Sequence, residues 1–254
     1  MMEQRLRTIA LVIEYDGTYF HGMQRQIGLT TAAGELERVL TSLFGHDVRV
    51  VAAGRTDAGV HATGQVVSFT TAREFALQRL PIAASALLRD ARIAVVRAVE
   101  RQVGFSARRH ALARTYRYSI LNRIAPSPLH AKRTFHVRAG IDIAAMRAAA
   151  AYLVGEHDFA AFCSSAPLRG STVRTITALS VDRSGDFIDV WITADSFLHQ
   201  MVRIVVGTLI DVGRGKTPAH AMPDIIASRR RERAGFTVPP HGLYLERVHY
   251  AEPI

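Results

Sequence analysis

Cysteine is almost absent: Cys163 stands alone among 254 residues. No intrachain disulfide can form, which fits a reducing compartment. Long apolar runs are missing too, and none approaches the ~20 residues of a membrane span. The N-terminal stretch MMEQRLRTIALVIEYDG lacks the plan of a secretory leader, because its short apolar run meets Glu14 and Asp16 rather than small residues. The expectation is a soluble, cytoplasmic protein. Acidic residues are in deficit, 22 Asp and Glu against 32 Lys and Arg, giving a formal net charge of +10. That excess favours a polyanionic partner, nucleic acid foremost, since its strands are dense lines of phosphate. A basic enzyme with no such partner is the other reading of charge alone.

Several chemistries lack their motifs. The 11 histidines form no HExxH, and one cysteine cannot build a cysteine-rich zinc site, so no metal is expected. Neither GxSxG nor GxGxxG occurs. GRGKT, 213–217, falls short of a phosphate-binding loop: Ile210 stands where the first Gly is needed, and the segment follows a helix instead of opening one. Cys163, in FAAFCSS, reads as a small core residue.

What is present alternates between strand and helix periods. TIALVIEY (8–15), VRVVAA (48–53), GQVVSF (64–69) and IAVVRAV (93–99) read as strands. Helices are expected in GELERVLTSLF and near 75–88, the latter interrupted by Pro81. A second set follows: strand RTYRYSI (114–120), helix 143–154 with Asp142 as N-cap and Gly155 as stop, strands TITALSV and FIDVWIT, helix LHQMVRIVVGTLIDV and strand GLYLERVHY. The pattern is α+β. The basic link SARRHALAR suggests a boundary near residue 107, giving halves 1–107 and 108–254 with a ligand cleft between them.

Three residues resist a bland reading. Arg203 sits in a helix apolar on most sides, with Gly207 one turn further on the same face. Either its stem packs while its head reaches water, or it pairs with a carboxylate, because an unpaired buried charge is severely unfavourable. Tyr116 lies in RTYRY, where aromatics interleaved with arginine form either sheet core or a stacking platform for bases. The runs ARRH (107–110) and RRRER (229–233) add cationic surface. Asp57, in GRTDAGVH, is either a turn residue or a chemical one; local pattern does not decide.

Taken together, YDGTYFHGMQRQ, GRTDAGVHATGQVVSF, ARTYRYSI, SFLHQMVRIVVGTLIDVGRGK and AGFTVPPHGLYLERVHY resemble, in order and over some 230 residues, the signatures of the tRNA pseudouridine synthase A family. The resemblance implies the pseudouridine synthase fold: two ferredoxin-like or RRM-like halves, central antiparallel sheets flanked by helices, and an active-site cleft between them. It implies isomerisation of uridine to pseudouridine at positions 38, 39 and 40 of the tRNA anticodon stem-loop, by a homodimer needing no cofactor or metal. Position by position, Asp57 matches the catalytic aspartate, Tyr116 the tyrosine that stacks on uracil, and Arg203 the arginine that pairs with the aspartate. Arg55 matches a residue that handles the displaced nucleotide, and Leu245 an apolar pocket wall; Gln24 and His61 fall among the implied substrate-binding positions. The chain departs from the family at Met23, where Trp is usual, and at Phe236, where Pro is usual. Two rivals stand beside this reading: an RNA-binding or tRNA-folding protein of the same fold with weak or lost catalysis, and a metal-free hydrolase using the aspartate.

Overall fold

Strand β1, Arg7–Tyr15, carries Ile9, Leu11, Ile13 and Tyr15 on one buried face, and Thr8 and Ala10 are buried as well. Burial of both faces means that this part of the strand is covered above and below. In the computed structural model, which describes residues 6–164 and 170–254, β1 pairs antiparallel with β3 (His61–Thr71) and with β4 (Ile93–Arg101). The two-residue β2, Val51–Ala52, adds to β3. Helix α1, Ala32–Phe44, opens on Thr31, whose hydroxyl accepts from Gly34 N–H, and closes on left-handed Gly45. It buries Leu36, Val39, Leu40 and Phe44. Helix α2 is shorter than expected, Leu80–Leu88, because Pro81 lies in its first turn. Proline there lacks only an N–H with no intrahelical acceptor, so it starts the helix rather than interrupting it.

The chain divides by contact into residues 1–112 with 245–254, and residues 113–244. This differs from the division expected at residue 107. Strand β10, Leu243–His249, lies beside β3 in the first unit. Thr63 Oγ1 donates to Glu246 Oε2 at 2.6 Å, and the Arg101 guanidinium holds Glu252 and the Pro253 carbonyl beyond it. Alternation shows that GLYLERVHY is a strand; it does not show which strand it lies beside.

In the second unit the strand order is β5 (Ala113–Leu121), β9 (Phe187–Ala194), β8 (Val173–Ser184), β7 (Gly155–Asp158), all antiparallel, with β6 (Phe135–His136) parallel to β5. Tyr116 and Tyr118 stand opposite Ile192 and Val190, on the buried face. Thr115 and Thr193 share a 2.8 Å hydroxyl bond on the other. Helix α3, Ile143–Ala151, is capped as expected by Asp142, which accepts from Ala145 N–H. Helices α4, Met201–Gly213, and α5, Met222–Ser228, complete the unit. Cys163 is buried. Among the described residues no helix is long and apolar enough to cross a membrane.

Candidate active site

Asp57 lies half-buried in the loop between β2 and β3. The loop turns on itself through Val60 N–H donating to Asp57 C=O at 3.2 Å. The YDGTYFHGM segment cradles it. Met23 N–H donates to Thr56 C=O at 3.1 Å, Gly59 N–H to Phe20 C=O at 3.3 Å, and the Tyr15 and Thr56 hydroxyls lie 2.8 Å apart. The contact requires glycine: a Cβ on Gly17 would lie 1.9 Å from the Val60 carbonyl oxygen, and one on Gly22, at φ +90, 2.6 Å from that of Thr56. Behind the loop, Gln65 is fully buried; it takes the Gly54 N–H and donates to the Gly54 C=O. Burial pushes the Tyr15 phenol up to about 12, so it stays a neutral partner of Thr56. The aspartate is therefore held by backbone bonds on both flanks, which is the rigid support a reacting group needs.

His61 is buried at the start of β3. Its Nδ1 accepts from Gly17 N–H at 3.1 Å, and Asp16 Oδ1 lies 3.2 Å from the same nitrogen. Asp16 also caps Thr18 and approaches Arg92. His61 thus ties the cradle to the loop from beneath. Arg55 and Gln24 are exposed, and Leu245 is fully buried in β10. Met23 is 1 % exposed, so the departure from Trp changes packing inside the fold rather than an open surface.

In the second unit Tyr116 is nearly buried, and Phe197 meets its ring edge-on with centroids 5.0 Å apart. Phe197 belongs to the turn leading into α4, which Gln200 closes in the left-handed conformation at φ +59. A non-glycine residue held there costs roughly 1–3 kcal/mol and persists only where its surroundings impose it. Arg203 follows in the first turn of α4, half-buried. Its Nε donates to Val238 C=O at 2.8 Å, and Val238 N–H returns a 3.3 Å bond to Arg203 C=O. Tyr118 donates to Pro239 C=O at 2.8 Å, and burial raises its pKa well above the ordinary phenol. Gly207 explains itself: a Cβ there would lie 1.8 Å from the Phe236 carbonyl oxygen. The carbonyl of Phe236, not its half-exposed ring, makes this contact, so replacing the family's usual proline leaves it in place. Phe197 and the 234–238 segment stood in the sequence only as parts of quoted signatures, with no contact to α4 assigned to them. The one signal was a pair of glycines, Gly207 and Gly235, in otherwise unrelated stretches.

Residues 149–251 match the family described as tRNA pseudouridine synthase. A tRNA pseudouridine synthase A of Acetivibrio thermocellus is 44% identical over 245 residues, covering 96% of this chain and 100% of its own length. One from Moorella thermoacetica is 43% identical over 95% of this chain and 99% of its own, and one from a Thermoanaerobacter 40% over 96% and 100%. The chain belongs to the tRNA pseudouridine synthase A family. It is therefore an isomerase-family enzyme with an α+β fold. A Cbf5-Nop10-Gar1 complex among solved structures overlays with a TM-score of 0.33 at 11% identity, over 80% of this chain and 45% of that one, a likeness too weak to bear on the site.

Proposed function

We propose that the chain isomerises uridine to pseudouridine in tRNA, at positions 38, 39 and 40 of the anticodon stem-loop, as a cytoplasmic homodimer without cofactor or metal. The observation that carries this reading is likeness along the whole length of a named tRNA pseudouridine synthase A. The clamped Asp57 loop and the Arg203 side chain held by the Val238 carbonyl support it, since both are built as fixed groups. The reaction breaks the N1–C1′ bond, turns the uracil and joins C5 to C1′; the C5 proton leaves and N1 regains one, so the product is an isomer. Asp57 supplies the carboxylate, as nucleophile or as base. Arg203 pairs with it and supplies the countercharge. The uridine must leave its stack, at a cost of a few kcal/mol. Tyr116 restores stacking to the base, Arg55 handles the vacated position, and Gln24, His61 and Leu245 complete the substrate surround.

The test uses unmodified tRNA with tritium at uracil C5. Wild type should release tritium and the Asp57→Asn variant should not, while both bind the tRNA. Tight binding by wild type with no release would replace the enzyme by a binding protein. Sequencing the product for pseudouridine locates the position modified.

A further inference from the structure

RRRER, 229–233, reads in the sequence as a patch of cationic surface, but its arginines differ. Arg229, Arg230 and Arg233 are exposed, whereas Arg231 is half-buried with its guanidinium turned inward. Its Nη1 donates to Gly235 C=O at 2.8 Å and to Ala234 C=O at 3.3 Å; its Nη2 donates to Thr237 Oγ1 at 3.1 Å. One side chain therefore gathers three acceptors of the 234–238 segment into a fixed strap. The strap lies along α4. Gly235 N–H donates to Thr208 Oγ1 at 2.8 Å, and a Cβ on Gly235 would lie 2.7 Å from the Thr208 backbone. The Phe236 carbonyl fills the space over Gly207, and at the far end the Val238 carbonyl receives Nε of Arg203.

We propose that Arg231 is a positioning residue for the isomerase reaction: through the strap it fixes where the Val238 carbonyl stands, and so which way the Arg203 guanidinium points. The inference rests on the proposed role of Arg203. Only a planar fork can serve three acceptors spread along four residues; an ammonium carries the same charge without that geometry. Loss of the fork should release the strap and leave Arg203 on α4 with its Nε acceptor misplaced. A positioning error of that kind acts on turnover and not on tRNA affinity.

The experiment measures single-turnover tritium release from C5-labelled tRNA with enzyme in excess, alongside tRNA affinity at two salt concentrations. Arg231→Lys should slow release about tenfold or more, with affinity and its salt dependence within about twofold of wild type. In an Arg203→Lys background the same change should slow release less than about twofold, because its target is already gone. Thr237→Val, which removes one acceptor and keeps the shape, should lose about two- to threefold in the same direction. It decides the matter if Arg231→Lys does not fold. Undiminished release by both variants overturns the inference, as does an undiminished tenfold loss in the Arg203→Lys background. Weakened tRNA binding by Arg231→Ala, with Arg231→Lys normal, would make Arg231 a phosphate contact instead. A wild type that releases no tritium sinks the reading of the site, which is a separate outcome.

Discussion

Arg203 sets a half-buried guanidinium in the first turn of α4, and its charge reaches neighbouring side chains. His241, in the turn Pro240–Gly242, is held below the ordinary imidazole value, chiefly by burial; Arg203 pushes the same way, and a backbone bond to Thr134 opposes. The native state thus prefers neutral His241, while the unfolded chain takes a proton near pH 6.5. Stability is unaffected above that value and falls as pH drops below it, until the native group protonates too. His249 is shifted downwards as well, by burial and Arg247, so the wild-type curve contains both. Thermal melts from about pH 8 to 5 should show His241→Gln with a shallower acid loss than wild type; identical slopes would remove His241 from the account. On the Asp57 loop, Tyr15→Phe deletes the 2.8 Å bond to Thr56 and should lower stability by about 1 kcal/mol. Equal denaturant midpoints for the two proteins would show that this hydroxyl pair carries no net weight.

Helix α4 and its strap form the element on which the candidate site depends. Gly207→Ala would place a methyl 1.8 Å from the Phe236 carbonyl, a backbone atom that cannot turn aside. Overpacking of this kind destabilises by about 1–3 kcal/mol, which at this chain size lowers Tm by several degrees, at roughly 2–4 °C per kcal/mol. Turnover should fall as well, since the displaced strap carries the acceptor of Arg203. Gly140→Ala is the control: no atom lies within 4 Å of its added Cβ. A Gly207→Ala protein with wild-type melting and turnover would show that the strap moves freely. The sequence disclosed half of this element. Arg203 and Gly207 stand out against an apolar helix because periodicity makes exceptions visible. The partner segment AGFTV has no period, so nothing marked it as the surface that fills the glycine gap. Short pieces such as β6 and β7 escaped for the same reason, and Pro81 misled because proline breaks a helix only beyond its first turn. Asp57 was legible only through whole-chain resemblance. The cradle that rigidifies it consists of backbone bonds from residues 17 to 23, which any side chains with the right glycines could make.

At the scale of the molecule the net charge of +10 must be weighed against how many cations are already engaged. Arg7 pairs with Glu100, Arg38 with Glu35, Arg49 with Glu37 and Asp47, Arg123 with Asp186 and Arg229 with Asp158. These pairs are neutral at a distance, so the excess resides on other cations, including exposed Arg55, Arg109 and Arg233. A tRNA held by such charges should be released steeply by salt, because each neutralised phosphate frees counterions. About six contacts would weaken binding about a thousandfold between about 50 and 200 mM salt. Turnover of bound tRNA should change little over the same range, since bond breaking at the uridine is set by fixed groups inside a site where screening is weak. Filter binding and single-turnover release across a salt series measure the two separately. Affinity that falls less than about tenfold would sink the polyanion reading of the charge. A parallel loss in turnover would show instead that salt disturbs the placement of the catalytic groups.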